Sequence, residues 1–528
     1  MDRRGFLKRS ALALAAGALP AHSVTAAPSP AYVGVRVRGG RIVGTREQGV
    51  CVFRGIRYAA DTAPVRFRPA LREDGWRGVC EAFAYGASAM QAGRDGPGSE
   101  DCLFLNVWTP GVRDGGQRPI LVYIHGGAYS TGSGSEPLYD GTRLCVRGDV
   151  VVITLNHRLN ALGYLQLPAR AGSAFAQAGN VGQLDLVQAL QWVREHAAEF
   201  GGNAHNVTLF GQSGGGAKIA TLMAMPAAQG LFQRAWTMSG QQVTAAGPRA
   251  AKQRAQVYMD ALGVSDVEAL LRVPVAALVD ALATRDPSQV EDAALYFGPV
   301  LDGVVLPRHP FWPDAPAQSA EIPMVIGNTR DETRAFLGND PANFMLTWDT
   351  LPERLGQQQF VDIDPVGVIA HYRKLYPAYS PSEVFFAATT AGRSWRGALE
   401  ELQMRAQQGS ATWAYQLDWY PQDIDGGTRR RAFHTLDIPL VFDNILQPGA
   451  LTGTSAAAQS VADAMSAALL AFARRGDPRT EATAAWEPYA PPQRATMVFA
   501  GTPELQHDPR AGERKLYSRV PFIQRGTF

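Results

Sequence analysis

The chain has 528 residues, 46% of them hydrophobic and 19% charged, and 50 Lys and Arg nearly balance 48 Asp and Glu for a formal net charge of +2. So mild a charge excludes nucleic acid or an anionic membrane as the main partner, because both are gripped by densely basic surfaces. The 54 Gly and 35 Pro fit a fold with many loops and exclude a coiled coil or a repeat array, while the length alone admits about three domains.

The chain opens with Arg3-Arg4-Gly5-Phe6-Leu7-Lys8, an alanine- and leucine-rich run to Leu19, and a small-residue stretch ending Val24-Thr25-Ala26-Ala27. A basic start, a short apolar core and a small-residue cleavage site are the three parts of an export signal. The paired arginines resemble a twin-arginine signal. The apolar run is too short to span a bilayer. Residues 1–27 are therefore expected to be a removable signal and 28–528 a single exported catalytic domain, periplasmic or secreted. No later stretch reads as long and apolar enough to cross a membrane, so no stable membrane span is expected. Cys51, Cys80, Cys102 and Cys145 show neither CxxC nor metal-ligand spacing. Two bridges in any of three pairings, or buried thiols, both remain open.

Strand-like runs then alternate with helix-like segments, the pattern of a mixed α/β sheet. Ile120–Ile124 reads as a buried strand and ends in His125-Gly126-Gly127-Ala128-Tyr129. Glycines in such a turn let backbone N–H groups point at a developing oxyanion, with His125 structural rather than a base. Val150–Leu155 is a second strand run. In the helix that follows, Leu186, Val187, Leu190, Val193, Ala197 and Phe200 share one face, and Gly201-Gly202 ends it. Asn206–Phe210 is a third strand run. It leads into Gly211-Gln212-Ser213-Gly214-Gly215-Gly216 and the helix-like segment from Ala217 to Met223. A serine on a sharp strand-to-helix turn needs small neighbours two before and two after, because its backbone is strained and closely packed. The helix start also favours negative charge there. Ser213 is thus the candidate nucleophile, and Gly127, Ala128 and Gly214 the candidate oxyanion donors. Pro323–Ile326 is a fourth strand run, and residues 250–290 and 340–410 are mainly helical.

With these motifs in view, the chain resembles the type B carboxylesterases, the family that also contains the cholinesterases. The resemblance runs from about Val35 to Phe522. It is carried by Phe53-Arg54-Gly55-Ile56-Arg57-Tyr58-Ala59, Ser99-Glu100-Asp101-Cys102-Leu103-Phe104-Leu105-Asn106-Val107 and Gly179-Asn180-Val181-Gly182-Gln183-Leu184-Asp185. Phe200-Gly201-Gly202-Asn203, Gly298-Pro299-Val300-Leu301-Asp302-Gly303 and Phe472-Ala473-Arg474-Arg475-Gly476-Asp477-Pro478 extend it. It implies an α/β-hydrolase fold, a large central, mostly parallel sheet of eight or more strands with helical cap insertions around a deep gorge. Chain order in that fold is serine, acid, histidine. Gly327-Asn328-Thr329-Arg330-Asp331-Glu332 is similar to the segment holding the triad acid, which implies Glu332, with Asp331 as second choice. Phe433-His434-Thr435-Leu436-Asp437 is similar to the segment holding the histidine, which implies His434. Ser239 falls where the family has a second serine beside the acid.

The expected chemistry is hydrolysis of a small carboxylic ester by water through an acyl-enzyme on a Ser213–His434–Glu332 triad, with no metal or organic cofactor. Amidase, lactonase or thioesterase activity would use the same parts. A non-catalytic binding protein is the alternative of a different class. Three departures from the family pattern stand out: Gln212 replaces a glutamate, Gly214 an alanine, and Ala128 the third glycine of the oxyanion loop. Arg429-Arg430-Arg431, just ahead of His434, suggests a rim that attracts anionic esters. A solvated turn is the alternative for that run.

Overall fold

The four strand runs pair into one sheet in a computed structural model of the chain, which describes residues 32–93, 98–287 and 293–524. The expected export signal lies outside these residues. The strands are β1 (Tyr32–Val37), β2 (Gly40–Glu47), β3 (Val50–Arg57), β4 (Val79–Glu81), β5 (Phe104–Thr109), β6 (Arg118–Ile124) and β7 (Val151–Leu155). They continue with β8 (Gly202–Gln212), β9 (Arg234–Met238), β10 (Met324–Thr329), β11 (Thr412–Leu417), β12 (Ala495–Phe499) and β13 (Pro503–His507). Their spatial order is β1-β2-β3-β5-β7-β6-β8-β9-β10-β11-β12-β13, with β4 beside β2.

From β7 to β12 every neighbouring pair is parallel, whereas β1-β2-β3-β5-β7 and β12-β13 pair antiparallel. The difference is legible in side-chain patterning. In β1, Val35 and Val37 are buried and Arg36 is exposed, as on a sheet margin. In the parallel centre both faces are covered, so β6 and β7 read as continuous apolar runs. Their side chains alternate between two cores. Ile120, Val122 and Ile124 join Val151, Ile153, Val207 and Leu209 on one face. Leu121 and Tyr123 join Val152, Phe210 and Trp236 on the other.

Helix α1 (Val181–His196) lays Leu186, Leu190 and Val193 on the first face. Its last turn tightens into a 3₁₀ turn over Ala197–Phe200, and Gly201, at φ 66°, ends it in the left-handed region. Helix α2 (Gly214–Leu222) follows β8. Two helical insertions build small cores of their own. The first packs Tyr258, Leu270 and Leu278 with Phe67 and Tyr164. The second, with α3 (Pro381–Thr390), packs Leu355, Val368 and Phe385 with Leu516. A π-helical turn, Ala391–Trp395, joins α3 to α4 (Arg396–Gln408).

One sequence expectation is amended and one open choice is settled. Helix α5 (Ala456–Arg475) is long and apolar enough to cross a membrane, contrary to the reading that nothing after the signal is. Its Val461, Met465, Leu469 and Phe472 are, however, packed in the core of the second sheet face. The four cysteines are free thiols, three of them buried. Burial pushes the Cys102 and Cys145 thiols well above their ordinary range.

Candidate active site

The expected site residues converge at the carboxyl ends of parallel strands, where the chain leaves the sheet and side chains face open space rather than a layer of helices. Ile124, the last residue of β6, pairs with Gly211 of β8, Gln212 pairs with Met238 of β9, and Met238 with Gly327 of β10. The segments after these strands, carrying Gly127 and Ala128, Ser213, Ser239 and Glu332, therefore lie side by side. His434 comes from the loop after β11, the next strand outward.

Ser213 occupies the turn between β8 and α2 with φ 56° and ψ −126°, a strained conformation for a residue bearing a side chain. The Ser213 amide donates to the Met238 carbonyl at 2.7 Å, which ties the turn to the next strand. The glycines around it are dictated by contact. A Cβ at Gly211 would come 2.8 Å from the Ile124 carbonyl oxygen, and one at Gly215 would overlap that same oxygen. A Cβ at Gly214 would overlap the Ala128 carbonyl. A methyl at this position has no room against the loop that carries Ala128.

Gly127 (φ 84°) and Ala128 (φ 52°) turn that loop over, and the Gly127 carbonyl accepts the Ser130 and Thr131 amides at 3.1 and 3.0 Å. The Gly214 amide opens α2 and so has no partner inside the helix. All three residues line a cavity of about 530 Å³ together with Ser213 and His434. His125 does not line it. Its ring is buried and stacked on that of His157, with centroids 4.7 Å apart.

The His434 imidazole is gripped from both sides. Its Nδ1 pairs with the Glu332 carboxylate, so Nδ1 carries the proton and Nε2 presents a lone pair. That Nε2 accepts the Gln212 side-chain amide at 3.2 Å. Phe336 covers the ring, with centroids 4.8 Å apart. Glu332 is fully buried. Burial alone would raise its carboxyl, but the His434 ring, the Ser239 hydroxyl and the Thr329 amide, which donates at 2.9 Å, together hold it below the usual carboxylate range. Asp331 turns away to Arg334 at 3.3 Å and makes no contact with the imidazole. Ser239, at φ 52°, is thus brought to the acid, while its hydroxyl also accepts the Thr329 amide at 3.3 Å.

Two residues near this centre escaped the sequence reading. In sequence Gln212 shows only as a lost charge, because nothing in one dimension aims its amide at an imidazole more than two hundred residues away. Asp437 is fully buried and accepts the Tyr415 hydroxyl at 2.8 Å. Burial and the Glu332 charge push its carboxyl up to about 6. The arginine run, by contrast, is spent elsewhere. Arg431 pairs with Glu383, and the Arg429 guanidinium lies 4.2 Å from the Phe344 ring centre. None of the three lines the cavity; the arginine that does is Arg393, on the π-helical turn.

The model of the carboxylesterase family matches residues 31–516. The chain is 34% identical over 500 residues to para-nitrobenzyl esterase of Bacillus subtilis (strain 168), covering 91% of this chain and 97% of that one. It is 32% identical to phenmedipham hydrolase of Pseudarthrobacter oxydans, covering 87% and 93%. A crystal structure of a Geobacillus stearothermophilus carboxylesterase superposes with a TM-score of 0.81 at 36% identity, covering 92% of this chain and 99% of that one.

Proposed function

Because the chain belongs to the carboxylesterase family and is a carboxylic ester hydrolase, we propose that it works through an acyl-enzyme on Ser213, with His434 as base and Glu332 as the acid that orients it. The Ser213 oxygen attacks the ester carbonyl carbon as its proton passes to His434 Nε2. The carbonyl oxygen becomes an oxyanion among the Gly127, Ala128 and Gly214 amides. Glu332 holds the ring in the required tautomer and offsets the charge of the imidazolium, without taking its proton. The imidazolium protonates the departing alcohol, and the carbonyl re-forms on Ser213. Water then repeats the sequence, giving up a proton to His434 and releasing the acid.

The observation that carries this reading is the Glu332–His434 pair. A buried carboxylate on Nδ1 leaves Nε2 as the basic nitrogen, and His434 lines the same cavity as Ser213. In the resting arrangement Nε2 accepts from Gln212, so the first step requires that amide to yield to the Ser213 hydroxyl. A fluorophosphonate probe tests the assignment. It is expected to add once, on the peptide carrying Ser213, and to leave Ser213→Ala unlabelled; labelling of another serine would overturn it.

Residues 28–528 act, on this reading, as a single catalytic domain, exported to the periplasm or the medium by a twin-arginine signal in residues 1–27. Replacing Arg3 and Arg4 by lysine is expected to trap the precursor in the cytoplasm, and unchanged export would contradict the route.

A further inference from the structure

We propose that Lys218 is a positioning residue for ester hydrolysis: its amine clamps both ends of the oxyanion loop, at the His125 carbonyl and the Tyr129 ring, and holds a cation behind the Gly127 and Ala128 amides. This rests on reading those amides as oxyanion donors.

Lys218 sits in α2, five residues after Ser213, in a helix otherwise made of glycine, alanine, threonine and aliphatic residues. It is wholly buried. Its Nζ donates to the His125 carbonyl at 3.1 Å and lies 5.5 Å from the centre of the Tyr129 ring. His125 and Tyr129 bracket the two candidate donors. Tyr129 is fixed in turn, because its hydroxyl donates to Gln242 at 2.9 Å and meets Thr221 of α2 at 3.3 Å. One side chain thus couples the helix of the nucleophile to the loop that must lie beside it. Five residues of helix rise about 7.5 Å, which keeps the amine close to the turn.

Among the described residues no carboxylate pairs with Lys218. Its ionisable neighbours are the stacked His125 and His157 rings, of which His157 is held neutral by burial and by the Lys218 charge itself. A buried ammonium without a counter-ion is costly, and burial pulls this amine down to about 7. Negative charge developing on the substrate oxygen would relieve that cost only as the transition state is approached. An interaction of this kind raises turnover without tightening substrate binding.

The test measures kcat and KM on a chromogenic ester and the inhibition constant of a trifluoromethyl ketone, whose serine adduct carries an oxyanion. Lys218→Met removes charge and donor while keeping an unbranched stem; Lys218→Gln keeps a donor without charge. In Lys218→Met, kcat is expected to fall about tenfold or more, with KM within about twofold. The ketone should weaken by the same factor as kcat/KM, and Lys218→Gln should lie between Met and wild type. Should Lys218→Met fail to fold, a parallel loss of kcat and ketone affinity in Lys218→Gln supports the proposal. Unchanged values in a folded variant, or lost turnover with undiminished ketone affinity, overturn it. A ketone that fails to bind the wild-type enzyme would instead overturn the oxyanion reading beneath it.

Discussion

Glu332 and Asp331 are adjacent in sequence yet face opposite ways, one onto the His434 imidazole and the other onto Arg334. Glu332→Gln is therefore expected to lower kcat/KM about 10³-fold or more, since an amide cannot stabilise the imidazolium or enforce its tautomer. Asp331→Asn, read on the same chromogenic ester, should change it less than about threefold; the reverse order would move the acid to Asp331. The sequence placed Ser213 through its glycine spacing, but it left Asp331 and Glu332 as rivals, because neither spacing nor charge says which carboxylate turns inward. Gln212 carries a second prediction. Its amide donates to Nε2, a contact that uses the lone pair needed to accept the Ser213 proton. A carboxylate there would favour the protonated ring. Gln212→Glu should move the acidic limb of the kcat/KM–pH profile upward by about one pH unit. Glu332 does not set that limb: held below the ordinary carboxylate range, it stays ionised at the pH where the limb falls. An unmoved limb would mean that the amide contact is lost in the working enzyme.

At the scale of elements, the turn between β8 and α2 was legible because its glycines answer to contacts that any such turn must make. A Cβ at Gly215 would meet the Ile124 carbonyl, and strand backbone has no freedom to step aside. Gly215→Ala is expected to destabilise the fold by about 1–3 kcal/mol, read as a lower denaturant midpoint at unchanged slope. A wild-type midpoint would show that the turn has slack. Of the parallel strands, β6, β7, β8 and β10 were legible for a similar reason, since burial on two faces leaves apolar runs, whereas β9, β11 and β12, broken by Arg234, Thr237, Gln416 and Thr496, were not read as strands. The outermost strands were not legible either: β1 and β13 alternate polar with apolar residues, and pairing partners are not written in such runs. The arginine run failed as a guide to the rim because charge spacing says nothing of neighbours. Glu383 on α3 takes Arg431 and the Phe344 ring takes Arg429. The π-helical turn that brings Arg393 to the cavity had no local signal to distinguish it from ordinary helix.

Over the whole molecule, distant parts of the chain meet at one sheet edge. Gly127, Ser213, Glu332 and His434 span three hundred residues of sequence and come together because β6, β8, β10 and β11 run parallel and leave the sheet at the same end. Chain order, with the resemblance to the type B carboxylesterases, anticipated that meeting. It could not anticipate how the imidazole is held at rest, or that a lysine would be buried behind the loop. The central claim is that this shared edge performs nucleophilic catalysis through Ser213. Steady-state hydrolysis of a chromogenic ester by Ser213→Ala, with near-ultraviolet circular dichroism confirming a native fold, tests it most directly. The account predicts a fall in kcat of about 10⁴-fold or more, leaving only what the oxyanion donors and binding supply. Turnover near that of the wild-type enzyme in a properly folded variant would contradict it.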